Sequence, residues 1–293
     1  MQEINVGPLD LPIQLPATSS LSSPQISQQT MKISIVTVSF NQRAYLREAL
    51  DSVLLQEYPE LEHIVVDPGS TDGSRELIHS YGDRISKAIF EPDHGAADGL
   101  NKGFAVATGD VYGFLNSDDL LMPGSLERVA EFFRVHPECD MVMGNGKKID
   151  GEGKLLEVIK ARDFSVRRHL YGGTRWLQQS TFFRRESYLR SPGFNTENKT
   201  SWDGELFMTL VKQGARVGYI DGDLSAFRIH GTSISGTGRM LEAYKRDNAR
   251  IFRAMQGRDW GAIDDFYKIL YRIEGFILKV KSNFQNPARR NAV

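Results

Sequence analysis

Three short polar runs hold many of the residues whose types could do chemistry. The first is Thr37, Ser39 and Asn41. The second is Asp67-Pro68-Gly69-Ser70-Thr71-Asp72-Gly73, and the third is Asn116-Ser117-Asp118-Asp119. Adjacent carboxylates such as Asp118 and Asp119 repel each other unless a cation or a hydrogen-bond donor stands near. A hard divalent cation, Mg2+ or Mn2+, suits carboxylate oxygens combined with substrate phosphates. The alternative is a turn in which one of the two acids caps a helix and Pro123 ends the turn. In the second run the glycines permit tight turning and close approach to a ligand. Asp67 is placed to accept hydrogen bonds from a base or ribose. Ser70 or Asp72 could instead cap the helix that follows.

A scaffold must bring these runs to one rim. Ile33 to Val38 reads as a buried strand, and Asn41 offers an N-cap to a helix from Tyr45 to Leu55. A strand at His63 to Val66, a helix at Ser74 to Tyr81 and a short strand at Ser86 to Phe90 follow. Then come a helix at Ala97 to Thr108, a strand at Val111 to Leu115 and a helix at Ser125 to His136. This alternation predicts an α/β fold: a mostly parallel, Rossmann-like sheet flanked by helices. In open α/β sheets ligands bind beyond the carboxyl ends of the strands, and all three polar runs fall there.

Beyond Pro137 the pattern changes. Strands are expected at Met141 to Met143 and around Lys154 to Val158, flanking a glycine-rich turn, and at Thr181 to Phe183. A helix from Leu206 to Gly214 and two short strands, Val217 to Ile220 and Ala226 to Ile229, complete the pattern. Residues 1–30, rich in Pro, Ser and Gln, read as a flexible or loosely docked leader. Residues 236–293 read as a helical, basic extension with apolar positions at Ile263, Phe266, Leu270, Ile273, Ile277 and Val280. That stripe admits a membrane-surface helix, a helix packed on the domain, or a dimer contact.

The formal net charge of -1 argues against nucleic acid as the main partner. Cys139 is the only cysteine, which rules out an intrachain disulfide or a cysteine-based metal site. No apolar run approaches the ~20 residues of a membrane-spanning helix, and the N-terminus lacks the pattern of a secretory signal. The expectation is a cytoplasmic protein, with peripheral contact at the inner face of a membrane through the C-terminal helix as a further option.

The segments TVSFNQ, VVDPGSTDGS, EPDHGAADGLNKGFAVATGD and GFLNSDDLLMP, in this order, resemble glycosyltransferase family 2 over about residues 31–235. The resemblance implies a GT-A fold, with a nucleotide-binding half over 31–120 and an acceptor-binding half over 121–235. It implies transfer from a nucleotide-diphosphate sugar, a UDP-sugar foremost, to a hydroxyl of a glycan or lipid-linked acceptor. Inversion at the anomeric carbon, a divalent metal and a setting in cell-surface polysaccharide assembly come with it. Thr37, Ser39, Asn41, Asp67, Ser70, Asp72, Asn116 and Ser117 then line the nucleotide pocket. Asp118, Asp119 and His230 are the implied metal ligands. Asp98, Lys102 and Arg228 would contact donor sugar or phosphate, and Trp176, Gln178, Gln179 and Trp202 the acceptor. Asp203 would be the general base, with Glu205 as its rival.

This chain departs from the family pattern at Asn116, where the Asp-any-Asp motif begins, at Leu100, where Arg is commoner, and at Trp202, where an acid stands. Those departures keep a non-catalytic sugar-nucleotide-binding partner in view. A nucleotidyltransferase is a third reading, but TVSFNQRAYLR lacks the glycine-rich basic phosphate loop it would need early in the chain.

Overall fold

A computed structural model describes residues 30–231 and 240–285. The expected leader therefore lies outside the described residues, apart from Thr30. Elements run β1 (Ile33–Val38), α1 (Arg43–Leu54), β2 (Leu61–Val66), α2 (Ser74–Ser80), β3 (Lys87–Ile89), α3 (Ala96–Val106) and β4 (Val111–Asn116). They continue with β5 (Leu120–Leu121), α4 (Ser125–Val135), β6 (Met141–Asp150), β7 (Leu155–Ile159), α5 (Val166–Leu170) and β8 (Thr181–Arg184). The last are α6 (Arg185–Leu189), α7 (Trp202–Lys212), β9 (Val217–Ile229), α8 (Leu241–Gln256) and α9 (Ala262–Gln285).

The strands form one sheet in the order β3-β2-β1-β4-β8-β6-β9-β5, with β7 paired to β6. β1, β2, β3 and β4 are mutually parallel, β6 pairs parallel with β9, and β5, β7 and β8 run against their neighbours. The fold is thus the expected mostly parallel α/β sheet. Both faces are buried, which explains why the strands read as continuous apolar runs. Val36, Ile64, Val66, Phe114, Met141 and Phe183 face one core with Leu100, Phe104 and Phe207. Ile33, Ile35, Leu115, Val142 and Phe182 face another with Val53, Leu126 and Phe133. Gly103 lets α3 lie directly on β1, since a Cβ there would stand 2.4 Å from Cγ1 of Val36.

Several local expectations need correcting. α1 is not capped by Asn41. Its N-cap is Gln42 without a side-chain bond, and Asn41 adopts φ 53. The carboxylate of Asp72 accepts from the Arg43 amide instead, at 2.8 Å. α7 begins a turn earlier than its apolar spacing implies, at Trp202. The two short strands expected near the end are one strand, β9. Asp221-Gly222-Asp223 looks like a turn in sequence. It stays in the strand because Asn145 donates to Asp221 at 2.9 Å and Lys147 pairs with Asp223 at 3.7 Å, where β6 and β9 shift register.

His63, fully buried on β2, bonds the Thr37 hydroxyl on β1 at 2.9 Å. Burial pushes the pKa of His63 down to about 3. The unfolded chain takes up a proton below about pH 6.5 that the folded chain refuses. Between those values the unfolded state binds more protons, so stability falls as pH falls. The urea midpoint is expected to drop from pH 7 to pH 5, and to drop less in His63→Leu.

Candidate functional site

The carboxyl ends of β1, β2, β3 and β4 open into a cleft of about 830 Å3. Its wall includes Ser39 and Phe40 after β1, Pro68 after β2, Asp93, His94 and Gly95 after β3, and Asn116, Ser117 and Asp118 after β4. The opposite wall comes from the second half of the chain: Trp176, Gln178, Gln179, Lys199, Trp202, Asp203 and Phe227. The polar strand ends therefore meet, as the sheet topology requires, and face the N-terminus of α7.

The first wall is built by loops stitched to one another. Asp67 is fully buried; it accepts from the amides of Gly69 and Ser70 at 3.0 and 2.8 Å and from the Ser70 hydroxyl at 2.6 Å. Ser70 in turn accepts from the Asn41 amide at 2.8 Å, and Asn41 accepts from the Thr71 amide at 2.9 Å. Asp72 also accepts from the Ser74 amide and hydroxyl at 3.1 and 2.6 Å. Asn41, Asp67, Ser70 and Asp72 thus shape the rim rather than line the cleft. Thr37 likewise points into the sheet toward His63. Ser39 is different: it is 2% exposed, lines the cleft, and its hydroxyl has no hydrogen-bond partner among the described residues. A buried unpaired hydroxyl at a cleft wall is a natural ligand contact.

Asp98 and Lys102 also sit behind the wall. Asp98 accepts from the His94 amide at 3.0 Å and Lys102 donates to the Pro92 carbonyl, so both brace the turn whose Gly95 sits at φ 118. Asp93 is the carboxylate of this turn that lines the cleft, and burial raises its pKa. The sequence reading passed over it. The rule that picked out Asp67 at the end of β2 also picks out Asp93, just past the end of β3.

The two acids after β4 have unlike surroundings. Asp119 is fully buried, and its oxygens accept from the Arg228 amide at 2.9 Å, from Gln179 at 2.6 Å and from Asn116 at 3.1 Å. Burial, and then the charge of Asp118, raises the pKa of its carboxyl against these donors. It is an internal brace, which corrects its expected place as a metal ligand. Asp118 faces the cleft, and its Oδ2 lies 3.0 Å from Nε2 of His230. The His230 ring rests on Tyr45, with centroids 4.4 Å apart.

Arg228 is also corrected. It is 2% exposed, and its guanidinium donates to the carbonyls of Asp118 and Gly151 at 2.9 and 3.1 Å and to Glu48 at 2.6 Å. It fixes the Asp118 turn from behind and does not reach toward a donor phosphate. Gln178 and Gln179 border the cleft, but their amide nitrogens donate to the Phe114 carbonyl and to Asp119, both at 2.6 Å. They hold the Asn116–Asp119 turn. Trp176 and Trp202 present ring surface to the cleft. The Trp176 indole donates to Nδ1 of His169 at 3.2 Å, so that nitrogen carries no proton.

Asp203 lies in the first turn of α7 and accepts from the Gly204 amide at 2.7 Å. Burial at the cleft pushes its pKa up to about 6, against that amide. Glu205, two residues on, faces the other way. It receives both ends of the Arg250 guanidinium at 2.6 and 2.7 Å, with Asn195 and Asn198 at 3.1 and 2.7 Å. Burial alone would raise its pKa, but these donors hold it below the usual carboxylate range. Both Glu205 oxygens are thus taken up by Arg250, Asn195 and Asn198, whereas Asp203 lines the cleft.

α8 also supplies Asp247, which accepts from the Lys199 amide at 2.9 Å and the Thr200 hydroxyl at 2.7 Å. α8 thereby fixes the loop leading into Asp203. Arg250→Met leaves Glu205 buried without its counter-ion and is expected to cost roughly 2–4 kcal/mol in urea unfolding. Adding Glu205→Gln is expected to recover part of that loss, a coupling read from the double-mutant cycle.

The family model described as Glycosyl transferase family 2 matches residues 34–199. An uncharacterized glycosyltransferase of Nostoc sp. is 39% identical over 129 residues, 41% of this chain and 40% of that one. TuaG of Bacillus subtilis, named as a candidate teichuronic acid biosynthesis glycosyltransferase, is 39% identical over 103 residues, 34% of this chain and 41% of its own. The chain thus spans well under half the length of these two relatives. An uncharacterized glycosyltransferase of Haemophilus influenzae is 30% identical over 261 residues, 84% of this chain and 96% of that one. Among solved structures, S. aureus TarS 1-349 in complex with UDP-GlcNAc superposes with TM-score 0.62 at 21% identity, covering 87% of this chain and 78% of that one. The mannosyltransferase of Pyrobaculum calidifontis in complex with GDP-Man and Mn2+ gives TM-score 0.60 at 16% identity, covering 85% and 70%.

Proposed function

The chain belongs to glycosyl transferase family 2 and has the GT-A type of fold, and we propose that it is an inverting, metal-assisted sugar transferase. The proposed donor is a nucleotide-diphosphate sugar, a UDP-sugar foremost. The proposed acceptor is a hydroxyl of a glycan or lipid-linked glycan in cell-surface polysaccharide assembly. The name of TuaG and the UDP-GlcNAc complex of TarS support these two choices. The observation that carries the reading is Asp203: a cleft-lining carboxylate with a raised pKa, opposite the Asp118 wall.

Asp118 and His230 are the side chains that would hold a divalent cation. Their donor atoms already converge within 3.0 Å, and oxygen with imidazole nitrogen suits Mn2+ or Mg2+. Among the described residues no three His, Cys, Asp or Glu side chains cluster for a metal, so donor phosphate oxygens and water would complete the shell. A cation held there would supply electrostatic stabilisation of charge on the departing diphosphate.

The chain's own residues do the rest. Ser39, Asn116 and Ser117 line the cleft where the nucleotide would lie, and Trp176 and Trp202 offer flat apolar surface to a sugar ring. The acceptor oxygen bonds to the anomeric carbon, which passes through an oxocarbenium-like state. The bond from that carbon to the donor phosphate oxygen breaks, and its electron pair leaves with the nucleoside diphosphate. The acceptor hydroxyl proton passes to Asp203. Attack opposite the leaving group inverts the configuration. Product anomers resolved by NMR test this: a retained configuration would sink the single-displacement mechanism.

A further inference from the structure

α9 has two unlike sides. One is fastened to the domain. Asp264 accepts from Tyr171 at 2.7 Å and from Arg258 at 2.6 and 2.7 Å, Tyr271 stacks on Tyr171, and Glu274 accepts from Arg168 at 2.7 Å. The other side is bare and apolar. Ile263, Phe266, Ile269, Leu270, Ile273, Phe276 and Ile277 are all exposed, Phe266 at 55% and Phe276 at 69%. Seven large apolar side chains in one continuous stripe are far beyond the scattered exposure of an ordinary surface. Because the docked side fixes the helix lengthwise on the domain, the stripe faces outward.

Charge identifies what covers it. Lys268 and Arg272 lie along one flank, with Arg272 one turn from both Ile269 and Phe276; the one acid on that flank, Asp265, accepts from the Trp260 indole at 3.0 Å. Onward from Arg272 the sequence carries Lys279, Lys281, Arg289 and Arg290 against one acid, Glu274, which Arg168 already neutralises. Two copies brought together along this stripe would oppose like charges. The stripe is also wider than a coiled-coil seam: Ile263, Phe266, Leu270, Ile273 and Ile277 follow three-four spacing, but Ile269 and Phe276 broaden it on one side. An apolar face flanked by cations suits an anionic lipid surface, with the helix lying in the interface plane. No helix of the described residues is long and apolar enough to cross a membrane.

We propose that α9 seats this protein on anionic lipid bilayers through the Ile263–Ile277 stripe, with the adjoining cations engaging lipid headgroups. This does not depend on the glycosyl-transfer reading. The test is co-sedimentation of the full chain with vesicles of phosphatidylcholine, alone or mixed with phosphatidylglycerol. Binding is expected to the mixed vesicles, weakened by salt. Lys268→Gln and Arg272→Gln are each expected to weaken it about fivefold. The triple variant Phe266→Ser, Ile273→Ser, Phe276→Ser is expected to abolish binding while keeping the wild-type melting temperature, because those side chains are exposed. Failure of the wild type to bind mixed vesicles would overturn the proposal. So would binding that neither set of substitutions changes. A dimer dissolved by the triple variant, without vesicle binding, would assign the stripe to a second copy.

Discussion

Asp203→Asn is expected to lower sugar-transfer turnover by roughly a thousandfold, the range that loss of a general base produces. Asparagine keeps the size of the side chain and its acceptance of the Gly204 amide but cannot take up a proton. Nucleotide affinity should stay within about twofold, because the donor side of the cleft is built by other loops. The pH profile carries a second signature. Burial places the pKa of Asp203 at about 6, and the base works only when deprotonated. Activity should therefore be flat above that pH and fall about tenfold per unit below it. Asp203→Asn should lose this limb along with the rate. Glu205→Gln makes the contrast: it weakens the clasp with Arg250, so it should lower stability more than it lowers turnover at a permissive temperature.

Asp118→Ala is expected to have the next largest effect. Its carboxylate is the cleft-facing member of the acidic pair and stands 3.0 Å from His230. Removing it takes away one of the two side chains proposed to hold the cation. Loss of one electrostatic stabiliser of a developing charge lowers turnover by roughly 10²–10³-fold. Binding gives a readout separate from activity: a nucleoside diphosphate should stabilise the wild type more with Mn2+ than without, and the variant equally in both. Asp119→Asn should behave differently. Asp119 is a fully buried brace accepting from Arg228, Gln179 and Asn116, so its replacement should show first as a lower melting temperature.

The parallel half of the fold was legible because its strands are buried on both faces and its helices return at regular intervals. The sequence also located the cleft, since polar residues gathered at strand ends that one parallel sheet must align. It could not say which polar residues face the ligand and which hold the loops. Asp67, Asp119 and Arg228 look like binding residues by type and place. Asp67 is taken up inside its own loop by Gly69 and Ser70, whereas Asp119 and Arg228 are held by partners distant in sequence, as Glu48 and Gly151 hold Arg228. The Glu205–Arg250 clasp links residues 45 apart, and no local pattern announces it. β9 is one strand where two short ones were expected, since Asp221-Gly222-Asp223 carries no strand pattern of its own and the pairing of Asn145 with Asp221 is a tertiary contact. The α9 stripe was plain in its spacing. Which of its sides meets the domain depended on Tyr171, Arg168 and Arg258, far away in sequence or outside the helix.

The most direct measurement is thermal unfolding of the wild type and Asp203→Asn with UDP, GDP, dTDP and their common sugars, with and without Mn2+ or Mg2+. Turnover is assayed on the same samples. A ligand at a hundredfold excess over its Kd stabilises the native state by about 2.7 kcal/mol, a shift of roughly 4–5 °C for a chain of this size. The predicted result is one nucleotide that stabilises both proteins equally, more with metal, while the wild type alone turns over the corresponding sugar donor. Absence of stabilisation by every nucleotide, or undiminished turnover in Asp203→Asn, would contradict the assignment of this cleft as the site of glycosyl transfer.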